Sequence, residues 1–563
     1  MPGKSSRDGA ARDDVDVDVA VIGAGHNGLV AAAYLAAAGL SVTLFERREV
    51  IGGAAVTEEF APGFRNSTAS YTVSLLHPRV MRELHLAAHG LSIVPRPMQN
   101  FLPLPDGTAL CAPADPAALA VQVARRSARD AERLPAWQRQ LGEAVELLRD
   151  LALQTPPTDL ARWPDLWRLL RWGGRLRRQP LARQRALFEL CTRSAGDILD
   201  AWFESDALKA LFGFDAVVGS YASPYSQGSG YVLLHHAFGE LHGQRGVWGH
   251  AIGGMGAITQ AMAAEARRLG ARIETGQAVQ RVQVRDGRAC GLQLADGRCV
   301  RARIVAANVN PKLLYLQLID PQQLPSEFVA AMRRYRCASA TFRMNVALSE
   351  LPNFTAAPTD SSLRGAPGAH LGAGIIIAPS LGYMDRAFAE ARLQGHSGAP
   401  IIELLIPSTL DDSLAPRGAH VASLFCQHFA PELPQGRPWA SARDCMADLI
   451  IDTVSCHAPN FRRAVIARSA LSPADLEERF GLVGGDIFHG ALGLDQLWAA
   501  RPVLGYGDYR SPLRGLYLCG SGAHPGGGVT GLPGHNAARR ILRDWPTLRR
   551  ARRHAAAALA PRA

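Results

Sequence analysis

The stretch from Val19 to Glu46 constrains this chain more than any other. An apolar run, Val19 to Ile22, has the look of a strand buried on both faces. It runs into Gly23-Ala24-Gly25-His26-Asn27-Gly28, spaced G-x-G-x-x-G, and Asn27 to Ala38 then reads as helix. Such a turn aims unpaired backbone N–H groups and the positive end of a helix dipole at one point, and its glycines admit a diphosphate closer than any side chain would. A second apolar strand, Ser41 to Phe45, ends on Glu46, eighteen residues after Gly28, where an acid accepts hydrogen bonds from a ribose 2′-hydroxyl. A glycine-rich turn beside a solvated strand-end acid would not need all these features in order. An α/β, Rossmann-like domain holding an adenine dinucleotide is therefore predicted. A branched side chain at Gly25 should fill the diphosphate space, with added strain if that position needs a positive φ.

After Glu46 the chain continues as ERREVIGG, and the pair Gly52-Gly53 is one that nicotinamide enzymes normally do without but that recurs in flavoproteins. With GAGHNGLVAAAYL, IGGAAVTEE, YVLLHHAFGE, GGMGA, LIPSTLDDSLAP, GGDIFHGALGLDQL and LYLCGSGAHPGGGVTG, the chain resembles the phytoene desaturase and amine oxidase group of FAD enzymes over nearly its whole length. The resemblance implies FAD as cofactor, two-electron oxidation or the reverse reaction, and a hydrophobic small-molecule substrate. The expected architecture is α/β (α+β). A Rossmann-like FAD-binding domain is assembled from discontinuous segments, 16–100, 245–335 and 491–545, and a substrate-binding domain of mixed sheet and helices is built from 101–244 and 336–490. Residues 1–15 are expected to be disordered and 546–563 to form a basic tail.

Two later segments carry the nucleotide-site expectations further. Residues 253–308 alternate helix, strand, hairpin and strand, with tight turns at Asp286-Gly287 and Asp296-Gly297. Val279 and Val282 there are good strand-core residues, and the resemblance gives Val279 a second task, presenting its backbone to the adenine. In the last segment the strand Leu516 to Cys519 runs into Gly520-Ser521-Gly522 and then Pro525-Gly526-Gly527-Gly528-Val529. Glycine at this density before a helix means backbone close to a ligand. The resemblance lays this stretch along the ribityl chain and flavin ring, although many relatives carry an acid where Ser521 stands. Gly520, Ser521, Gly522 and Val529 thus join Gly23, Gly25, Gly28, Glu46, Gly52, Gly53 and Val279 as cofactor-binding candidates.

Catalysis should belong to the cofactor, with the protein laying a substrate C–H over it and excluding water. The candidate proton acceptors or orienters are His236, Glu240 and His489, the last because GGDIFHG lies close to the ring in the group the chain resembles. No metal is expected. His235-His236 lack ligand spacing, and neither H-E-x-x-H nor a G-x-S-x-G elbow in a strand-turn-helix context occurs.

In ARWPDLWRLLRWGGRLRRQP, Trp163, Leu166, Trp167 and Leu170 recur at helical spacing among Arg162, Arg168, Arg171, Arg175, Arg177 and Arg178. Helix stripes are usually core, which makes this a buried stripe beneath a basic face. Rings among arginines also suit a bilayer interface, and peripheral membrane contact stays open as the second reading.

The chain's 563 residues exceed one compact core, and 47% hydrophobic with 20% charged residues is globular. The net charge of +11 is arginine charge, since only Lys4, Lys209 and Lys312 are lysines. Without a zinc-finger or basic-zipper pattern it is not read as nucleic-acid binding. Nine cysteines without a C-x-x-C pair signal neither a redox disulfide nor a zinc cluster. The first eighteen residues hold five aspartates and no apolar h-region, a poor fit to a signal or transit peptide, and no apolar run is long enough to span a bilayer. The expected location is cytoplasmic, membrane-associated if the tryptophan stripe meets lipid, and the mitochondrial matrix in a eukaryote. Oligomeric state is not legible. Two other functions are weighed: a flavin-free lipid escort of the Rab GDP-dissociation-inhibitor type, against which the intact turn, Glu46 and GSGAHPGGGVTG argue, and a membrane interaction protein that keeps its flavin without turnover.

Overall fold

The structure, a computed structural model, describes residues 16–159, 161, 163–241, 243–357 and 368–558. The expected disordered stretch 1–15, Arg162 and the end of the expected tail, 559–563, lie outside the described residues.

Three distant stretches of sequence meet in one seven-stranded sheet. Its centre is β1 (Val17–Ile22), followed by α1 (His26–Ala37) and β2 (Val42–Phe45). Strand β1 pairs in parallel with β2 on one side, Val19 opposite Val42, and with Cys299–Ala307 on the other, Val19 opposite Ile304. Arg272–Glu274 extends the sheet beyond β2, and Leu516–Leu518 joins Cys299–Ala307, both in parallel. The strand order therefore reverses at the carboxyl end of β1, where parallel sheets of this kind open a crevice. All of β2 and the last four residues of β1 are buried, as strands covered on both faces should be.

Nine of the twelve residues of α1 are buried, because its alanines and glycine let the helices Met255–Arg268 and Leu532–Ala558 pack closely around it. A helix buried nearly all round has no need of an amphipathic stripe.

The second sheet also has seven strands. Its order is Val465–Leu471, Phe342–Leu348, His420–Phe429, His396–Leu405, Gly374–Ile377, Asn100–Pro103 and Ala109–Ala112. It is antiparallel except where Gly374–Ile377 runs parallel to Asn100–Pro103. One face packs on helices from Pro116 to His236, the other on Arg443–Ser455. The first sheet is parallel around β1, and an antiparallel hairpin, Val279–Arg285 and Arg288–Leu294, extends it from Cys299–Ala307; this nucleotide-type sheet beside a mixed sheet with its own helices is the architecture expected from sequence.

One expectation fails. In the helix Trp163–Arg177 the residue that buries is Asp165, whereas Trp163 and Trp167 are 70% and 63% exposed. The Asp165 carboxylate accepts hydrogen bonds from the backbone N–H groups of Thr158 and Asp159, from the Thr158 hydroxyl and from Arg168. Asp165 stands about 200° around the helix from Trp163, so tying it down turns the apolar stripe outward. The buried-stripe reading is overturned.

Candidate functional site

At the carboxyl end of β1, Gly23 adopts φ 87°, the left-handed conformation that suits glycine, and turns the chain into α1. Gly25 follows with φ −73°, so its need for glycine is one of space and not of a positive φ. A Cβ there would stand 3.0 Å from the Asn308 amide, and one on Gly53 would stand 3.1 Å from the Gly25 Cα. The two glycine loops are in backbone contact, and Gly52 N–H donates to the Ala24 carbonyl at 3.0 Å. Helix α1 starts at Gly25 with no side-chain cap and no acid in its first turn, which leaves its positive end to an outside anion.

Glu46 is held by this same turn. Its carboxylate accepts from the Ala24 N–H at 2.8 Å and the Arg48 N–H at 3.1 Å, and only 6% of the residue is exposed. A carboxylate can accept about four hydrogen bonds, so capacity for a diol remains. The groove beside it encloses about 1100 Å³, partly open to solvent, and is lined by Gly23, Gly25, Glu46, Gly53, Val279 and Ser521 among others.

The other predicted glycines serve the groove indirectly. A Cβ on Gly28 would stand 2.3 Å from the Gly23 carbonyl oxygen, so Gly28 permits helix and strand to pack. Gly52 is required by its φ of 123° and by Thr259 and Ala55, which approach within 2.8 Å of where a Cβ would be. Gly520 and Gly522 sit against Asn308 and Pro311, where a Cβ would come within 3.0 and 2.3 Å. They were expected along the ligand; close packing explains them instead, and neither lines the groove.

Sequence reasoning missed Asn308. Oriented to satisfy its donors, its amide oxygen accepts from the Gly25 and Gly28 N–H groups at 3.3 and 3.2 Å and braces the turn from the neighbouring strand. The readable signal was a polar residue directly after the apolar run Ile304–Ala307, beside the strand-order reversal. The outer wall was missed too: Phe480 packs under the Arg48 guanidinium at 5.0 Å, and Arg48 pairs with Glu58 at 2.6 Å.

A second cavity continues the groove inward and shares His26, Ala54, His489 and Ser521 with it. It encloses about 880 Å³, partly open, with a lining that is mainly apolar: Val218, Trp248, Ile258, Phe425, Ile487 and Val529 contribute. Tyr71 lies in this wall, stacks on Phe425 with centroids 4.9 Å apart and donates its hydroxyl to Glu403. Arg96 holds Glu403 at 3.4 Å, so the polar group beneath the apolar wall is paired.

Of the three catalytic candidates, His489 and His236 reach this cavity and Glu240 does not. Glu240 pairs with Arg149 at 2.7 Å and is withdrawn as an acid-base candidate, because an ion-paired carboxylate away from the cavity has no substrate to serve. His236 Nδ1 meets the Val232 carbonyl at 2.9 Å, and its ring lies parallel to Trp248 at 6.3 Å. Burial lowers its pKa to about 4.

His489 stands at the junction of groove and cavity with φ 57°, and its Nδ1 is buried without a partner. Burial, with lesser contributions from His26 and Arg501, lowers its pKa to about 3, so the ring is neutral at physiological pH. The loop that places it is rigidly held. The Asp486 carboxylate accepts from the N–H groups of Ala338, Phe488 and Gly490 at 3.0, 2.8 and 3.0 Å. Tyr335 donates to the His489 carbonyl at 2.9 Å. Fully buried Arg501 donates to the carbonyls of Phe488 and Ser521 at 2.6 and 2.9 Å and ties this loop to the C-terminal glycine segment.

The groove therefore has the parts a flavin dinucleotide needs: a cradle that a Cβ would fill, an uncapped helix end, a braced acid, and the buried, unpartnered Nε2 of His26 where groove and cavity meet. The class that this fold and site define is the FAD-dependent oxidoreductases. The chain belongs to the family described as Flavin containing amine oxidoreductase, whose profile matches residues 28–342. It is 43% identical, over 549 residues and 94% of each chain, to pyridine nucleotide-disulfide oxidoreductase domain-containing protein 2 of Rattus norvegicus. It is 26% identical over 521 residues, 91% of this chain and 96% of the other, to a phytoene desaturase (lycopene-forming) of Pseudescherichia vulneris. Among solved structures, an oxidoreductase from Methanosarcina mazei shares the fold, with a TM-score of 0.59 at 17% identity over 93% of this chain and 100% of that one. The family and the cofactor expected from the motifs are both upheld: this is a flavoprotein oxidoreductase whose cofactor is FAD.

Proposed function

We propose that the protein oxidises, or in reverse saturates, a hydrophobic small molecule by hydride transfer at a C–H bond. The observation that carries this reading is the mainly apolar cavity continuous with the dinucleotide groove. FAD bound there supplies the two-electron chemistry. In this reading the Gly23–Gly25 turn and the end of α1 take the diphosphate, Glu46 takes the ribose hydroxyls, Val279 lies at the adenine, and Ser521 and Val529 flank the flavin. Val218, Ile258, Phe425 and Ile487 give a lipophilic substrate an apolar surface and displace water from it. His489, neutral at the junction, orients the reacting carbon by contact or by a neutral hydrogen bond; a base with its pKa lowered to about 3 is too weak to draw a proton well. The relative that desaturates phytoene, a hydrocarbon, supports the substrate class. The outward stripe Trp163–Trp167 supports contact with a membrane, from which such a substrate would come.

The test is anaerobic mixing of the holoprotein with terpenoid and other lipophilic hydrocarbons. At least one is expected to bleach the flavin absorbance. Val218→Trp, which fills the cavity, should abolish the bleaching while flavin content stays unchanged. Bleaching that survives this substitution would move the substrate elsewhere, and bleaching by polar amines alone would replace the substrate class.

A further inference from the structure

Between the helices Trp163–Arg177 and Leu532–Ala558 lies a cavity of about 960 Å³, partly open to solvent, that neither the groove nor the substrate cavity includes. Five arginines line it: Arg168, Arg171 and Arg175 from the first helix, Arg539 and Arg543 from the second, with the Trp172 ring between. Two are neutralised, Arg168 by Asp165 at 2.5 Å and Arg175 by Asp150 at 2.6 Å. Arg171, Arg539 and Arg543 form no ion pair among the described residues, and all three are exposed. Three uncompensated guanidinium groups around one hollow repel one another unless an anion joins them. Their planar donor forks match the oxygens of phosphate.

The same helix carries Trp163, Trp167 and Leu170, exposed by 70, 63 and 54%, at the i, i+4, i+7 spacing of one stripe. Arg171 and Arg175 flank this stripe, about 70° and about 110° round the helix from its centre, and Trp172 lies on the opposite face; all three line the cavity. A helix lying in a bilayer interface puts its rings at the acyl boundary and its flanking cations at phosphate level. We infer that the five-arginine cavity is a receptor for the phosphate headgroup of an anionic phospholipid, engaged as the Trp163–Trp167 stripe enters the interface. The inference rests on the membrane-contact reading above and adds a specific site, with its ligand chemistry, to it.

The test is co-sedimentation of full-length holoprotein with vesicles of phosphatidylcholine alone and of phosphatidylcholine with phosphatidylglycerol. The wild type should prefer the anionic vesicles. Combined Arg171→Gln, Arg539→Gln and Arg543→Gln should weaken anionic binding on the order of a hundredfold, the scale of three basic contacts at an anionic surface, and leave flavin content and thermal midpoint unchanged. The corresponding Lys substitutions should restore much of it, and Trp163→Ser with Trp167→Ser should lower binding to both vesicle types. If the Gln variant holds anionic vesicles as the wild type does, the headgroup site is overturned while the membrane reading survives. If the wild type ignores both vesicles, the membrane reading falls as well. Calorimetric binding of inorganic phosphate to a wild type that ignores anionic vesicles would assign the cavity to a soluble anion and overturn the lipid assignment.

Discussion

At the scale of single residues, Gly25 and His489 carry the most testable claims. The backbone at Gly25 is one that any residue adopts, and the objection to a side chain is the Asn308 amide 3.0 Å from the missing Cβ. Gly25→Val should therefore leave a folded protein whose FAD affinity is lowered about tenfold or more, the size of an overpacking cost of about 1–3 kcal/mol. Equilibrium dialysis against FAD measures it, and wild-type affinity would remove the turn from the cradle. For His489→Ala, flavin content should be unchanged and flavin reduction by a bleaching substrate should slow about tenfold, below the 10²–10⁴ typical of proton transfer. The wild-type rate should show no inflection near pH 6.5 from this ring, since burial holds its pKa at about 3. A larger loss together with such an inflection would restore His489 as the base. Gly23, Gly25 and Glu46 were legible because local spacing alone places them. Asn308, Tyr71 and Glu403 were not, because their roles depend on strands brought together from distant sequence.

At the scale of elements, the helix Trp163–Arg177 shows why a periodic stripe does not by itself say which way it faces. The spacing of its rings was readable, but orientation was set by the single buried Asp165 and its bonds to Thr158 and Asp159. Trp163→Ser with Trp167→Ser is expected to change unfolding free energy by no more than about 0.5 kcal/mol, as exposed substitutions do. Trp172→Ser should cost more, because that ring packs on Trp498 at 5.5 Å. Urea unfolding of the two variants decides it, and a large loss from the first pair would return the stripe to the core. The nucleotide-binding sheet was the most legible element set, since buried parallel strands read as unbroken apolar runs. The strands Phe342–Leu348 and His420–Phe429 are also fully or almost fully buried, yet they carry Arg343, Asn345, Gln427 and His428, which mask the pattern.

At the scale of the whole molecule, a set of buried histidines makes stability depend on pH. Burial lowers the pKa of His26, His77, His236 and His524 to about 4 and of His235, His428 and His489 to about 3. Between the ordinary value of 6.5 and these folded values the unfolded chain binds more protons, so their stabilisation is complete above pH 6.5 and is lost as pH falls toward 4. Asp215, raised to about 8, and Asp486, raised to about 6, act in the opposite sense but are fewer. The urea midpoint of the holoprotein should therefore fall steadily from pH 7 to pH 5, and a constant midpoint would contradict the burial of these rings. The domain plan was legible where glycine turns and apolar strands mark the dinucleotide fold; the substrate cavity was not, because its walls come from at least four separate stretches, around Tyr71, Val218, Phe425 and Phe488. What unites turn, acid, braced loops and cavity is one bound flavin, and the absorbance spectrum of the purified protein tests that most directly. A flavin spectrum, with FAD released on denaturation at close to one per chain, is the expected result; colourless protein that takes up no added FAD would contradict it.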